Sequence, residues 1–358
     1  MYLSFDDGAN WQPFQLNLPI VPITDLLVKN DNLIAATQGR SIWMIDDLTV
    51  LHQLNDDIAK KTTHLFRPMD SYRTDGFQIK KPVGDGTNHP GGVTVHFILP
   101  KMDTAKTVVK LAFLEKDGDV IREFSTKPKD KKDKLVVKDS AQTFNWNMRY
   151  PDAKTVDGMI LWWAQTSGPR AMPGEYRVRL TVGEEAPLEQ SFRILKDPRS
   201  NSTDTDFQQQ FDFLMSVRDK MTEAHQAILD IRDVRGQLKA FTSRLDKDSA
   251  ELKQLLDLAK QMDSTMTVVE EKLYQTKNKS GQDPLNFPIR LTNKLGHVAA
   301  LTYGDFPPTQ QAVEVQQELS AAIDGWLAQL HIVKEQDLPT FNRMVREKEV
   351  DLIRLKKE

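Results

Sequence analysis

Few residues in this chain are placed to do chemistry, and they are scattered. Carboxylates occur in adjacent pairs at Asp6-Asp7 and Asp46-Asp47. Two carboxyl groups hydrolyse a glycosidic bond when they face each other across a cleft, about 5–9.5 Å apart. Both pairs fall at turns or strand ends, where the linear sequence specifies no cleft. His52, His64, His225, His297 and His331 each lack a second ligand at metal spacing. The helical stretches carry no Glu-x-x-His, so a di-iron bundle site is not expected. The chain has no cysteine, which excludes disulfides, thiolate zinc sites and a Cys nucleophile. None of G-x-x-x-x-G-K-[ST], G-x-S-x-G, H-E-x-x-H or G-x-G-x-x-G occurs. No catalytic residue, no cofactor and no metal ligand is expected.

Three other stretches admit a functional and a structural reading. Leu161-Trp162-Trp163 could form a stacking platform for a pyranose ring. Inside a strand, however, successive side chains go to opposite faces, and core packing is the favoured reading. Lys127–Lys134 mixes Lys with Asp and interleaves no aromatics, so it reads as a solvated hairpin loop and not a nucleic-acid patch. Met215, Met221, Met262 and Met266 could make an adaptable binding face, but core packing is expected.

The elements that must position these residues belong to more than one domain. The chain has 358 residues, 28% of them charged and 39% hydrophobic, with a formal net charge of −3. That length exceeds one ordinary core, and two or three domains are expected. The charge argues against a general phosphate-backbone binder, so no nucleic-acid partner is expected. No apolar run of about 18 residues occurs, so no membrane insertion is expected. Met1–Gly8 reads as strand and turn, without the basic and apolar regions of an export leader.

Residues 1–74 are strand-rich. Met1–Phe5 can pair with Trp11–Leu16 across the turn at Asp6-Asp7-Gly8. Ser4, Asp6, Gly8 and Trp11 make an S-x-D-x-G-x-x-W pattern. Ile23–Val28, Leu33–Thr37 and Ile42–Ile45 read as three strands, with turns at Asn30-Asp31-Asn32 and Gln38-Gly39-Arg40. Leu48–Lys61 reads as a short amphipathic connector, and Leu65–Arg73 as an extended exit in which Pro68 forbids a central strand.

The first pattern resembles the Asp-box hairpin of BNR-repeat β-propellers of sortilin or sialidase type, and the three strands resemble the closing blade of such a ring. The resemblance implies a propeller remnant, most of the ring being absent, whose blade edges must be covered by another chain or by missing blades. It implies that Asp6 caps N–H groups of its own turn, with Trp11 packed on the hairpin, a structural role and not acid or metal chemistry. The family's A-T-H-G-R turn reads Ala36-Thr37-Gln38-Gly39-Arg40 here. Without the His, acid–base work at this turn is not expected, and Arg40 reads as a salt-bridged surface residue. Export from a bacterial cell follows from the resemblance alone.

In residues 75–200 the hydrophobic period becomes two. Val93–Leu99, Val108–Lys116, Val120–Ser125, Phe144–Met148, Met159–Ala164, Tyr176–Val182 and Gln190–Leu195 read as strands, with Asp117-Gly118-Asp119 as a hairpin turn. Seven short strands at turn spacing indicate an Ig- or FnIII-like β-sandwich. Trp146, Arg149, Tyr150 and Pro151 make a W-x-x-R-Y-P motif, and Pro173, Gly174, Tyr176 and Val178 a P-G-x-Y-x-V motif. Both resemble elements of the Ig-like domain of flagellar hook-capping proteins.

In residues 201–358 the period changes again. Phe207, Leu214, Met221 and Ile228 recur every seven residues, as do Val217, Ala224, Ile231, Leu238 and Leu245. This stripe predicts one helix of about 40 residues. A second helix, capped by Asp246 or Asp248, carries Leu252 to Leu273 and ends at Asn278–Pro284. A third spans Phe287–Leu301 and a fourth Gln310–Val333. Asp337-Leu338-Pro339 opens a last one reaching Leu355. An antiparallel α-helical bundle follows.

The fold class expected is thus multidomain β plus α: partial β-propeller blades, a β-sandwich and a helical bundle. The expected role is a non-catalytic accessory region, with the sandwich as a spacer and the bundle docking or dimerising, and protein as the main partner. Two alternatives rest on the resemblance. One is a sialidase- or xyloglucanase-like glycoside hydrolase acting on carbohydrate, its active site on missing blades. The other is a sortilin-like peptide-binding protein.

Overall fold

The computed structural model describes residues 1–74, 89–103, 106–138, 140–246, 249–302 and 304–350. The chain is mixed β plus α and divides into two compact units. One comprises Met1–Tyr150 and Arg170–Asn201, the other Pro151–Pro169 and Ser202–Glu358. The chain therefore crosses between units after Tyr150, after Pro169 and after Asn201.

The first unit opens with a minimal hairpin, β1 (Tyr2–Leu3) against β2 (Gln12–Pro13). A three-stranded antiparallel sheet follows in the order β3 (Ile23–Lys29), β4 (Asn32–Thr37), β5 (Ile42–Ile45). Asn30 and Asp31 both take positive φ, 51° and 56°, as a tight turn matching strand twist requires. Two short helices, α1 (Thr49–Gln53) and α2 (Asp56–Ala59), make the connector.

Two further sheets share one core. A five-stranded sheet runs in the order β10 (Val120–Ser125), β9 (Val109–Glu115), β12 (Gly174–Val182), β13 (Leu188–Leu195), β7 (Ser71–Tyr72). A three-stranded sheet runs β11 (Ser140–Trp146), β8 (Val93–Leu99), β6 (His64–Leu65). Strict alternation along β8 buries Val93, Val95, Phe97 and Leu99, the pattern of a strand with one core face. Tyr176, Val178 and Leu180 do the same on β12. Phe113 of one sheet stacks on Trp146 of the other, with ring centroids 4.4 Å apart. β6 and β7 flank Pro68 and take only edge positions, where a residue without an N–H is tolerated.

Met159–Ala164 is not a strand of this core, contrary to the alternation reading. It forms no strand and packs in the second unit, where Met159 and Leu161 lie against the helices. A short apolar run has no partner strand written into it.

The second unit is built on α3 (Asp204–Thr242), 39 residues and ~60 Å long. Its capping box is complete: Thr203 accepts from the Asp206 N–H, and the Asp206 carboxylate accepts from the Thr203 N–H at 2.8 Å. Both seven-residue stripes are inward, with Leu214 half-buried. α3 packs against α4 (Lys253–Leu273), α5 (Leu291–Leu301) and α6 (Gln310–Ile332). Met221, Met262 and Met266 are core residues. Asp246 does not cap α4, which starts after Leu252 without a side-chain cap. Asp248 and Leu355 lie outside the described residues. No break separates α6 from α7 (Leu338–Glu347): a π-type turn at Val333–Asp337 carries the helix through. Pro339 has no N–H to give a carbonyl one turn back, and a locally widened turn absorbs that defect. Among the described residues no helix is long and apolar enough to cross a membrane.

Candidate functional site

The turn at residues 4–11 is closed by its own side chains. Ser4 Oγ donates to Asp6 Oδ1 at 2.8 Å and accepts from the Gly8 N–H at 2.8 Å. Asp6 Oδ1 also accepts from the Asn10 N–H at 2.8 Å, and Oδ2 from Asn10 Nδ2 at 2.7 Å. The side-chain bond from Asn10, its backbone bond and the Ser4 hydroxyl hold the carboxyl below its usual range. Gly8 has φ +89°, and a Cβ there would lie 3.5 Å from the Trp11 ring. Trp11 remains largely exposed. Asp6 is thus saturated by local donors, a turn lock and not a free acid. In the next turn Gly39 takes φ +80°, and the Arg40 carbonyl accepts from Trp43 Nε1 at 2.9 Å. The exposed Arg40 side chain makes no ion pair among the described residues, so the expected salt bridge is absent there.

A cavity of about 1060 Å³ opens in the first unit, with Asp31, Asp46, His52, Asp70, Tyr72 and Arg199 in its lining. Beside Asp46, Asp47 reaches His96 Nε2 at 3.5 Å, while His96 Nδ1 is 3.1 Å from Thr143 Oγ1. His96 and Thr143 are direct cross-strand partners on β8 and β11. Asp47 also accepts from the N–H and hydroxyl of Thr49 at 2.8 and 2.6 Å. Burial works to raise the Asp47 carboxyl, but the His96 and Thr49 bonds outweigh it and hold it low. An Asp–His–Thr set contains the residue types of a nucleophile relay. Here it ties residue 47 to β8. Sequence spacing concealed it, because the contact spans 49 residues and depends on strand register. No three His, Asp or Glu among the described residues converge on a metal position.

The two motifs of the paired sheets sit in the core. Trp146 is fully buried and donates to the Arg149 carbonyl at 3.3 Å. Pro173 and Gly174 lead into β12, and the Tyr176 hydroxyl donates to the Met172 carbonyl at 2.9 Å. Burial raises the Tyr176 phenol far above its ordinary range. Burial also raises the Glu115 carboxyl, with Asp117 and Asp119 adding to it, and Tyr150 donates its hydroxyl to that group. The Trp146, Tyr150 and Tyr176 polar groups thus each make a bond within the β unit.

Trp162 and Trp163 depart furthest from expectation. Trp163 is 81% exposed and has φ +54°. That conformation costs a bulky residue about 1–2 kcal/mol and persists only when its surroundings over-determine it. The buried Asn293 of α5 supplies the constraint: its Oδ1 accepts from the Trp162 N–H at 2.7 Å, and its Nδ2 donates to the Trp162 carbonyl at 2.9 Å. His297 Nε2 bonds the same carbonyl at 2.5 Å. On the far side, the Gln165 N–H donates to the Gly296 carbonyl at 3.0 Å. The indoles of Trp162 and Trp163 meet edge to face, 6.2 Å between centroids.

Comparison with known protein families, with curated proteins and with solved structures finds no match to this chain.

Proposed function

We propose that the chain is a non-catalytic interaction region, in which residues 1–47 seat against further β-propeller blades of the BNR type. The two sheets with a common core, read as an Ig- or FnIII-like sandwich, act as a spacer. The helices, read as an antiparallel bundle, provide a docking or dimerising element. Protein is the partner. One observation carries the reading: among the described residues β3 has a single strand neighbour and buries none of its seven residues. Leu26, Leu27 and Val28 are each more than half exposed, on both faces of the strand, and Ile20, Ile42 and Met44 are exposed nearby. An uncovered apolar strand is a pairing template that proteins cover or blunt. The self-locked turn at Ser4, Asp6 and Gly8 supports the Asp-box reading of the same segment.

Sedimentation velocity and hydrophobic-dye binding on the full chain test the proposal, alone and as the Leu26→Lys/Val28→Lys variant. Dye binding and association that both fall in the variant support it. A monomer without dye binding, unchanged by the substitutions, overturns the docking role. Turnover of a chromogenic glycoside by this chain overturns the non-catalytic part.

A further inference from the structure

The loop carrying Trp163 belongs to the second unit. Its backbone is fixed at four points by α5: two bonds from one buried asparagine, one from His297 and one to Gly296. Gly296 allows the approach, since a Cβ there would fall 2.6 Å from that of Ala164. Several interior residues therefore hold a strained backbone whose one visible product is an indole in solvent. Core packing does not account for it, because the apolar residues of the loop that do pack, Met159 and Leu161, lie against the helices instead.

We propose that Trp163 is the stacking platform of a carbohydrate subsite. Its surroundings choose the ligand class. A protein hot spot sits at the centre of an apolar patch ringed by water-excluding contacts. Among the described residues between Pro151 and Pro169, Trp163 is the only large hydrophobic one that stands exposed, and Asp157, Gly158, Gln165 and Ser167 are exposed beside it in the chain. The neighbouring Trp162 indole packs edge to face with it, 6.2 Å between centroids, and its N–H has no acceptor among the described residues. An exposed apolar plane with an indole N–H donor on the adjoining residue suits a sugar ring, apolar on its face and hydroxylated at its rim. A pyranose with equatorial hydroxyls turns its C–H bonds to both faces, so a β-linked gluco-configured oligosaccharide is the ligand class.

The test is calorimetric titration of the full chain with cellohexaose and with chitohexaose, alongside Trp163→Ala, Trp163→Tyr and Trp11→Ala. Saturable binding of at least one sugar is expected. Trp163→Ala should weaken it about tenfold or more, while Trp163→Tyr keeps a ring and stays within about threefold. Trp11→Ala, which alters the docking module alone, should leave it unchanged. No saturable binding by the parent chain, or equal binding by Trp163→Ala, overturns the proposal. So does a change in sedimentation coefficient on Trp163→Ala without sugar, which would assign the indole to a protein contact.

Discussion

Arg232 of α3 donates through Nε to Glu270 of α4 at 2.7 Å, and the carboxylate it meets is buried. Arg235, one turn on, donates to the other oxygen of Glu270 at 3.0 Å and to Asp263 at 2.8 Å. The exposures are unequal: the Glu270 side chain is 6% accessible, those of Arg232 and Arg235 40% and 32%. Removing one side of the pair should therefore not equal removing the other. Arg232→Met with Arg235→Met strands a buried carboxylate and should cost about 3 kcal/mol. Glu270→Met leaves two guanidiniums that still reach water and should cost about 1 kcal/mol. Urea unfolding of the full chain, followed by the helical circular-dichroism signal, measures both. Equal losses would mean that the carboxylate is solvated.

His225 gives the helical unit a pH dependence. It is fully buried in α3, with Nδ1 on the Lys154 carbonyl and Nε2 without a partner among the described residues. Burial lowers its pKa below the ordinary 6.5, against the opposing effect of the Lys154 bond. The unfolded chain takes up the proton near 6.5 and the folded chain only at lower pH. The stability His225 contributes is thus whole above 6.5 and lost as the pH falls through the window below it. His225→Asn keeps a donor near the Nδ1 position and does not titrate. Its urea midpoint should fall less than that of the parent between about pH 7.5 and about pH 5.5.

Two helical glycines should respond with opposite signs. Gly325 on α6 has nothing within 4 Å of a would-be Cβ. Gly325→Ala should stabilise the chain by about 0.5–1 kcal/mol through helix propensity. Gly296→Ala meets Ala164 at 2.6 Å, must push the Trp163 loop off α5, and should cost about 1–3 kcal/mol. Thermal melts of the two variants decide this, and a stabilised Gly296→Ala would show that the loop moves freely.

Truncating Asp6 tests the turn lock. Asp6→Ala removes the acceptor for both Asn10 groups and for Ser4, all on an exposed turn. Hydrogen exchange at the Asn10 N–H should speed up strongly, with the global melting temperature moving little. A large global shift would contradict the local role.

The regular parts of the fold were legible where burial has a period. The sevenfold stripe from Phe207 onward marked α3, and alternation from Val93 to Leu99 marked β8, because each faces a continuous core. Leu161-Trp162-Trp163 was illegible for the converse reason. What fixes it is Asn293, 131 residues away, and no local pattern announces a remote backbone clamp. The Asp47–His96 contact is hidden in the same way by the register of β8. At Asp337–Pro339 the helix-start signal was real, but a π-type turn let the preceding helix run through it.

The excursion of Pro151–Pro169 out of the β unit has a consequence for anyone cutting the chain. A fragment begun at Ser202 would lack Ala153, Val156, Met159 and Leu161, all packed with the helices. It should be soluble only as a loosened bundle. A single protease nick after Asn201 would leave the fragment from Ser202 held only by packing against Pro151–Pro169, the part of its unit that stays covalently joined to the β strands. Deletion mapping from the N-terminus would therefore misreport the helical unit as unable to fold, whereas a chain ended at Asn201 keeps all of the β unit.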